Sequence, residues 1–567
     1  MPTSTRRPAQ LRGMVAATAT VTALALTACS GGASTTTNAA NGANSSITIS
    51  GTTGTVTENW NPFSPTALQP TLGIIYEPLF YYNLATGAAP QPMLATASSW
   101  SADGKQLKIT TRDGVKWSDG QAFTADDVAY TFDLISKTPA INASGIKFTS
   151  AVATDPHTVV LTFPDKQFLA EPNLLGNTPI IPKHIWSAVS DPAKTTNENP
   201  IGTGPYKKKS FSPQTYVIEK NPTYWQAGKP QIQTVRYISL ASADAASAAL
   251  TSGQLDWMSA FIPSLDKIIK NQKDLTYVNT PSLTTSIYTC SNAALGCKGP
   301  QTDVAVRQAM YWAINRDQLN KLAGSGFAGT ASPTMLLPER DQKWIADLAN
   351  LKTPGGPDVA KANQILDQAG WVKGADGIRS KGGQRLSLGI QTVTGWSDYI
   401  SLNDAMTQEF KEIGIELKPA QLSWNEWNNN EVQGKFQLSL DSIGLGPSTN
   451  PYYQYNQHYA TTTTAKVGEN ASNNANYARY SNPAVDRALA VAAATNDEAL
   501  QKQQYAIVQT AVVRDLPYIP IYVNSMLTEF NTSRATGWPT NDDKYAVPAT
   551  WKVWDNGVVL SNLKPAK

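Results

Sequence analysis

Cys29, Cys290 and Cys297 are the only thiols of this chain, and His157, His184 and His458 its only imidazoles. The histidines are scattered and there is no second close cysteine pair, so a zinc site is not expected. Nickel is not expected either, for want of a His/Cys cluster. No G-x-S-x-G elbow, H-E-x-x-H pair or G-x-x-x-x-G-K-[ST] loop occurs. A glycosidase needs only two carboxylates, so residue types alone leave that chemistry open. The expectation is a protein that is not an enzyme, without cofactor or metal. Cys290 and Cys297 have a different use. They lie close together in YTCSNAALGCKGP, and outside the cell such a pair reads as a disulfide. Two free buried thiols are the alternative. The loop they would close is short, so its stabilisation would be modest.

The aromatics are the other chemical resource: 15 Trp and 22 Tyr. Many must be core, and the surplus suits an aromatic-lined binding site. Ligand contacts are expected from four less regular stretches. One is the early loop around Asn59, Trp60 and Asn61; the second is Gly395-Trp396-Ser397. The third is Trp424-Asn425-Glu426-Trp427, and the fourth is the run Gly444 to Tyr455, with Ser448, Asn450, Tyr452 and Tyr453. They combine flat rings with amides and hydroxyls, which fits peptide backbone or sugar rings. Core packing is the competing reading for any one Trp. The acidic cluster Asp119, Asp126 and Asp127 reads as structure instead. Thr124 and Asp127 cap a helix, Gly120 permits a turn, and Trp117 fills core. Ala309, Met310, Ala313 and Ile314 fall at helical spacing and pack inward.

These residues need a scaffold, and 567 residues suggest several lobes. A net charge of only +3 gives no nucleic-acid footprint. Arg6, Arg7 and Arg12 precede an apolar run, Gly13 to Leu26, that is too short for a confident membrane span. The run ends in Leu26-Thr27-Ala28-Cys29, which matches the bacterial lipobox; a plain secretory signal with an incidental cysteine is the alternative. In lipoproteins of that type cleavage falls before the cysteine, whose thiol carries lipid, and two acyl chains give stable anchoring. Ser30 to Ser46 has no charge and no aromatic, and reads as a tether of roughly 20–25 Å span. No later stretch offers ~18 consecutive apolar residues.

From Ile47 onward strand and helix patterns alternate, which argues an α/β fold with several sheets. Strands are expected at Gln106–Arg112, His157–Phe163, Thr215–Lys220, Thr234–Leu240, Arg385–Thr392, Ile415–Pro419 and Phe436–Ile443. A β-rich run at Tyr518–Val523 is expected to break at Pro520. Helices are expected from Thr124 to about Lys137, and at Ala243–Gly253, Val304–Ala323, Pro357–Ala369, Leu402–Ile413, Pro483–Ala494 and Glu498–Arg514.

Several blocks then occur in a familiar order. They are YEPLF (Tyr76 to Phe80), LKITTRDGVKWSDGQAFTADDVAYTF (Leu107 to Phe132), GTGPY (Gly202 to Tyr206), NPTYW (Asn221 to Trp225), SGQLD (Ser252 to Asp256), VRQAMYWAINR (Val306 to Arg316), LDQAGW (Leu366 to Trp371), YSNPAVDRAL (Tyr480 to Leu489) and DLPYIPIY (Asp515 to Tyr522). The pattern resembles the oligopeptide-type extracellular solute-binding proteins of ABC importers, which serve peptide, nickel and some oligosaccharide transport. The resemblance implies a two-lobed periplasmic-binding-protein-like fold with a hinge, the first lobe split into two subdomains. The expected divisions are 47–85 with 200–295 and 525–567 for the first lobe, 86–199 for its accessory subdomain, and 296–524 for the second lobe. It also implies an anchored monomer on the outer face of the cell membrane, working with a permease and separate ATPase subunits. Peptide-binding relatives often carry an Asp three residues before the proline that is Pro451 here, to pair with the peptide's amino group. This chain has Ser448. Oligopeptide is the first expectation for the ligand on family grounds, and a cello- or xylo-type oligosaccharide is the alternative that the missing charge favours.

Overall fold

The computed structural model describes residues 45–566, apart from 54, 261, 263–264, 349–351 and 472–475. The signal segment, Cys29 and nearly all of the tether lie outside the described residues.

Ten strands make one mixed sheet. In chain order they are β1 (Ser46–Thr53), β2 (Tyr206–Ser212), β3 (Thr215–Lys220), β4 (Thr234–Leu240), β5 (Trp257–Met258), β6 (Leu275–Thr289), β7 (Ser387–Val393), β8 (Glu416–Leu422), β9 (Leu438–Ile443) and β10 (Tyr518–Asn531). Across the sheet they run β8-β7-β9-β6-β10-β5-β1-β4-β3-β2. The two longest, β6 and β10, pair antiparallel along nearly their whole length. One end of this ribbon carries β5 and its neighbours, and the other carries β9, β7 and β8. Two lobes therefore share one pair of strands.

Period-two patterning builds the first half. β1 buries Ile47 and Ile49, β3 Tyr216 and Ile218, and β4 Val235 and Tyr237, each pair two residues apart and so on one face. They join Trp60, Trp257 and Phe530 in one core. β9 instead buries Leu438, Ser439 and Leu440 in succession, as a strand covered on both faces does. One face meets the helices Val304–Ala313 and Ser397–Glu412 through Met310, Leu402 and Met406. The other meets a tyrosine-rich core that includes Tyr288, Tyr455 and Tyr518.

The accessory subdomain has its own four-stranded antiparallel sheet, from Ala95–Trp100, Gln106–Thr111, Ser150–Asp155 and Thr158–Thr162. The helix Ala125–Lys137 covers it with Ala125, Val128, Ala129 and Phe132, one stripe at helical spacing. Its start is the capping box expected of Thr124 and Asp127. The Asp127 carboxylate accepts from the amides of Thr124 and Lys183, at 2.9 Å each, and from the Trp117 indole at 3.3 Å. The WSDG block is thus a helix start tied to its neighbours.

Two further blocks weld this subdomain to the first lobe. Glu77 of YEPLF is fully buried. It accepts from the Tyr224 hydroxyl at 3.0 Å and the Trp225 indole at 3.0 Å, both from NPTYW. Arg112 lies 4.2 Å over the Trp225 ring. Burial pushes the Glu77 carboxyl up to about 7, against the pull of these donors and of Arg112. Gly204 of GTGPY lets the chain cross the Ile74 carbonyl, which a Cβ there would meet at 2.0 Å.

Three expectations are corrected. Val304–Ala323 is two helices, Val304–Ala313 and Arg316–Ala323, because Asn315 caps the second by accepting from the Gln318 amide. Pro520 does not break its strand. β10 continues to Asn531, and the pairing shifts register between Thr285 and Ser286, opposite Tyr522 and Pro520. A bulge of that kind accommodates a residue without an amide proton. Two stretches read as irregular are partly helical, Trp424–Gln433 and Tyr452–Tyr459. Among the described residues no helix is long and apolar enough to cross a membrane.

Candidate ligand cleft

The strand directions point to one place. β1 runs parallel to β5, and β5 runs antiparallel to β10, so the carboxyl ends of β1 and β4 face the middle of the ribbon. β9 pairs antiparallel with β6, from Leu438 opposite Thr289 to Ile443 opposite Thr284. β7 and β8 run parallel to β9, so their carboxyl ends face the same region. Ligands of open α/β sheets bind outside carboxyl ends of this kind. The ribbon also bends there, with register shifts between Pro281 and Leu283 and between Thr285 and Ser286.

Cavities flank the bend on both faces. Pro281 and Val523 line one of about 300 Å³, closed by Thr86 and Lys544 from the first lobe and by Arg340 from the second. Ser282 and Asn524, the next residue on each strand, line another of about 310 Å³ with Ala260, Ser525 and Trp551. This second cavity shares Asn524, Ser525 and Leu527 with a third of similar size, which reaches Ser397, Asp398 and Tyr522. The shared lining makes a trough from first lobe to second. Its walls are mainly hydroxyl, amide and apolar, with one indole and few charges.

Beside the trough, Trp396 precedes the helix Ser397–Glu412. It meets Trp427 edge-on at 5.1 Å and Tyr399 at 5.4 Å. Trp427 is 5% exposed and its indole N–H is buried without an acceptor. Trp424, one turn earlier, is 54% exposed. Trp424 and Trp427 lie one turn apart on the helix that Ser423 caps, and Trp396, at the start of the helix Ser397–Glu412, makes a pair with Trp427.

The other expected residues separate from it. Trp60 and Asn61 have no exposed surface. The Trp60 indole donates to Glu58 at 3.0 Å, and the ring packs against Tyr216. The Asn61 amide donates to the Pro192 and Thr195 carbonyls, at 2.8 and 2.9 Å. Asn59 is spent within its own loop, on Ser64, Thr66 and the Asn61 amide. This trio closes the first-lobe core, which corrects its expected placement in the cleft: the polar atoms are used, and Trp60 and Asn61 see no solvent. Ser448 accepts from the Asn450 amide at 3.2 Å. Asn450 in turn holds Tyr452, Gln501 and Tyr505. Tyr452 and Tyr453 meet edge-on at 5.9 Å. This loop leans towards the first lobe, where the Tyr453 hydroxyl donates to the Leu169 carbonyl.

Some groups near the bend were not among the residues expected to contact ligand. Trp551, 50% exposed, lines the trough from the first-lobe side; a single indole between short elements carries no pattern. Asp441 and Glu431 lie together in the second lobe, where Ser439 donates to Glu431 at 2.6 Å. Burial pushes Asp441 up to about 7, and burial plus the Asp441 charge holds Glu431 well above the carboxylate range. Glu529 on β10 is buried, accepts from the Ala260 amide at 3.4 Å, and is pushed up to about 8 by its burial. Burial raises all three carboxyls, which weakens each as a fixed anion. Among the described residues no group of three His, Cys, Asp or Glu could hold a metal ion. Cys290 and Cys297 are joined in a disulfide with Cα atoms 5.5 Å apart.

Residues 89–466 match the model of the bacterial extracellular solute-binding proteins, family 5 Middle. Protein XP55 of Streptomyces lividans is 28% identical over 76% of this chain and 75% of its own. Oligopeptide-binding protein AppA of Bacillus subtilis is 25% identical over 74% and 75%. Among solved structures, a periplasmic oligopeptide-binding protein of Thermotoga maritima superposes with a TM-score of 0.82 at 27% identity, covering 92% of this chain and all of its own. The same protein bound to mannohexaose gives 0.73, over 92% and 99%. Two lobes on a shared ribbon, a trough at the bend and a match through most of the chain agree. The chain belongs to the bacterial extracellular solute-binding proteins of family 5, the non-enzymatic ligand-capturing components of ABC importers.

Proposed function

We propose that this protein captures an extended, uncharged oligosaccharide of cello or xylo type in the cleft between its lobes and delivers it to an ABC permease driven by separate ATPase subunits. The carrying observation is the trough beside the ribbon, lined by the exposed Trp551 face with Ser282, Asn524 and Ser525. An indole face with hydroxyl and amide partners suits a sugar ring. Trp424 offers a second exposed face on the other lobe. The same fold in the Thermotoga relative holds mannohexaose. An oligopeptide is the second reading, favoured by AppA of Bacillus subtilis, whose structure holds a nonapeptide, although at 21% identity that match speaks for fold alone. A thermal-shift screen of the tether-free protein against di- to hexapeptides and β-linked oligosaccharides decides between them, since a ligand that binds the folded state raises Tm. Shifts with oligosaccharides are expected; shifts with peptides only would overturn the reading.

The lobe divisions 47–85 with 200–295 and 525–567, 86–199, and 296–524 belong to the same proposal. Separate cores support a three-part division, with Leu79 and Phe80 packed into the accessory core, Ile181 and Trp186 into the first-lobe core and Ile287 into the second-lobe core. Membrane anchoring as a monomer through Cys29 rests on the lipobox. Cys29→Ala should release the protein into the medium or leave it uncleaved, and unchanged membrane fractionation would count against the anchor.

A further inference from the structure

The loop between β9 and the helix Tyr452–Tyr459 is held firmly on its own lobe. Asn450 accepts from the Tyr452 amide at 3.0 Å and the Tyr505 hydroxyl at 2.6 Å, and donates to Gln501 at 3.0 Å. Behind it, Gln454 donates to the Met335 carbonyl and Tyr455 to the Thr334 carbonyl. Gly446 has φ +72, and a Cβ there would stand 2.6 Å from that of Tyr453; only glycine lets the loop fold this closely against the tyrosine.

Its outer side meets the other half of the molecule. Tyr453 donates to the Leu169 carbonyl of the accessory subdomain. Thr449 stands over Gly87, where an added Cβ would lie 3.5 Å from the Thr449 Cβ. Close by in sequence to the Met335 support, Arg340 donates to the Leu84 carbonyl at 3.3 Å, while its other nitrogens are fixed on the buried Asp341 at 2.6 and 2.8 Å. None of the three crossings uses a residue of β6 or β10.

We propose that this loop, with Arg340, is a latch that fastens the second lobe to the segment Leu84–Gly87 and to the accessory subdomain at Leu169. The accessory subdomain then has a task apart from ligand contact: it is the keeper onto which the closed form locks. The latch sets how long the lobes stay closed, whichever ligand lies between them.

The test needs no ligand. Disulfides span Cβ separations of roughly 3.5–4.5 Å, so Gly87→Cys with Thr449→Cys should form an intramolecular bond on mild oxidation, read as the loss of two free thiols from the folded protein. Gly87 has φ +66, and a cysteine there is strained, so a second variant accompanies it. Tyr453→Phe removes one hydroxyl and leaves the ring. With the latch, hydrogen exchange in segments 84–88 and 167–171 should quicken about three- to ten-fold, the scale of one lost hydrogen bond. A purely local role would quicken exchange only around residues 444–455. Free thiols in the oxidised double variant, with unchanged exchange at 84–88 and 167–171 in Tyr453→Phe, would overturn the proposal.

Discussion

Single residues in this chain separate by what their polar atoms already hold. Trp60 and Trp424 look alike in sequence, each beside asparagine in a Trp/Asn-rich segment. Trp60 is sealed in the first-lobe core, and Trp424 shows half its surface to water. Two opposite outcomes follow. Trp60→Ala should cost about 3–5 kcal/mol of stability, the range for a buried large ring, with ligand affinity unchanged in whatever remains folded. Trp424→Ala should leave the denaturation midpoint almost unmoved and weaken binding about ten-fold. Denaturant titration with calorimetry on both variants checks the split. Sequence could not make this distinction, because it depends on distant partners: Asn61 is a structural tie only because Pro192 and Thr195 come to it. The raised carboxyls Glu431, Asp441 and Glu529 were opaque for the same reason, since their burial is a property of the fold. Ser448, in contrast, is visible in sequence as an uncharged residue, and the structure uses its hydroxyl to accept from the Asn450 amide.

Elements were legible where their signals are local. The capping box at Thr124 and Asp127, the stripe below it and the alternating strands β3 and β4 all follow from neighbours a few residues apart. Thr124→Ala should cost about 1 kcal/mol, measurable by chemical denaturation. The helix Trp424–Gln433 had a signal that was passed over, Ser423 followed three residues later by Glu426. The long strand β6 had none, and β10 showed only its first part, Tyr518–Val523. β10 contains Pro520 and β6 contains Pro281, and both prolines argue against a central strand until the register shifts that absorb them are seen. The disulfide closes a short loop, from Cys290 to Cys297. The chain-entropy relation then gives about 2 kcal/mol. Replacing both cysteines with alanine should lower stability by about that amount and leave binding unchanged, because the loop packs against Gly434 and Val467 on the second lobe and does not line the trough.

At the scale of the whole molecule, buried carboxyls and lobe motion set the behaviour. Glu77 and Asp441 are pushed up to about 7 and Glu529 to about 8, all by burial. A raised folded-state value means the unfolded chain gives up its proton first. Their contribution to stability is therefore fully present below about pH 4, where both states are protonated, and is lost as pH rises towards 7 to 8. Each group contributes a slope of up to ~1.4 kcal/mol per pH unit within its window. Glu529→Gln should flatten the upper part of that decline, seen in denaturant midpoints taken from pH 5 to pH 9; an unchanged profile would mean that Glu529 ionises freely. A ribbon bent at two register shifts permits hinge closure, and small-angle scattering should show a smaller radius of gyration once ligand is bound. The central claim is that the ligand is held by ring faces and neutral polar groups, with no ionic anchor. Stacking is worth roughly 1 kcal/mol per ring beyond area and is barely screened by salt, whereas exposed ion pairs weaken with ionic strength. The most direct measurement is calorimetry with a β-linked oligosaccharide at low and high salt, on wild type, Trp551→Ala and Trp424→Ala. The prediction is a dissociation constant nearly independent of salt, weakened about ten-fold by each substitution with the fold intact; steep salt dependence with both variants binding as wild type would contradict it.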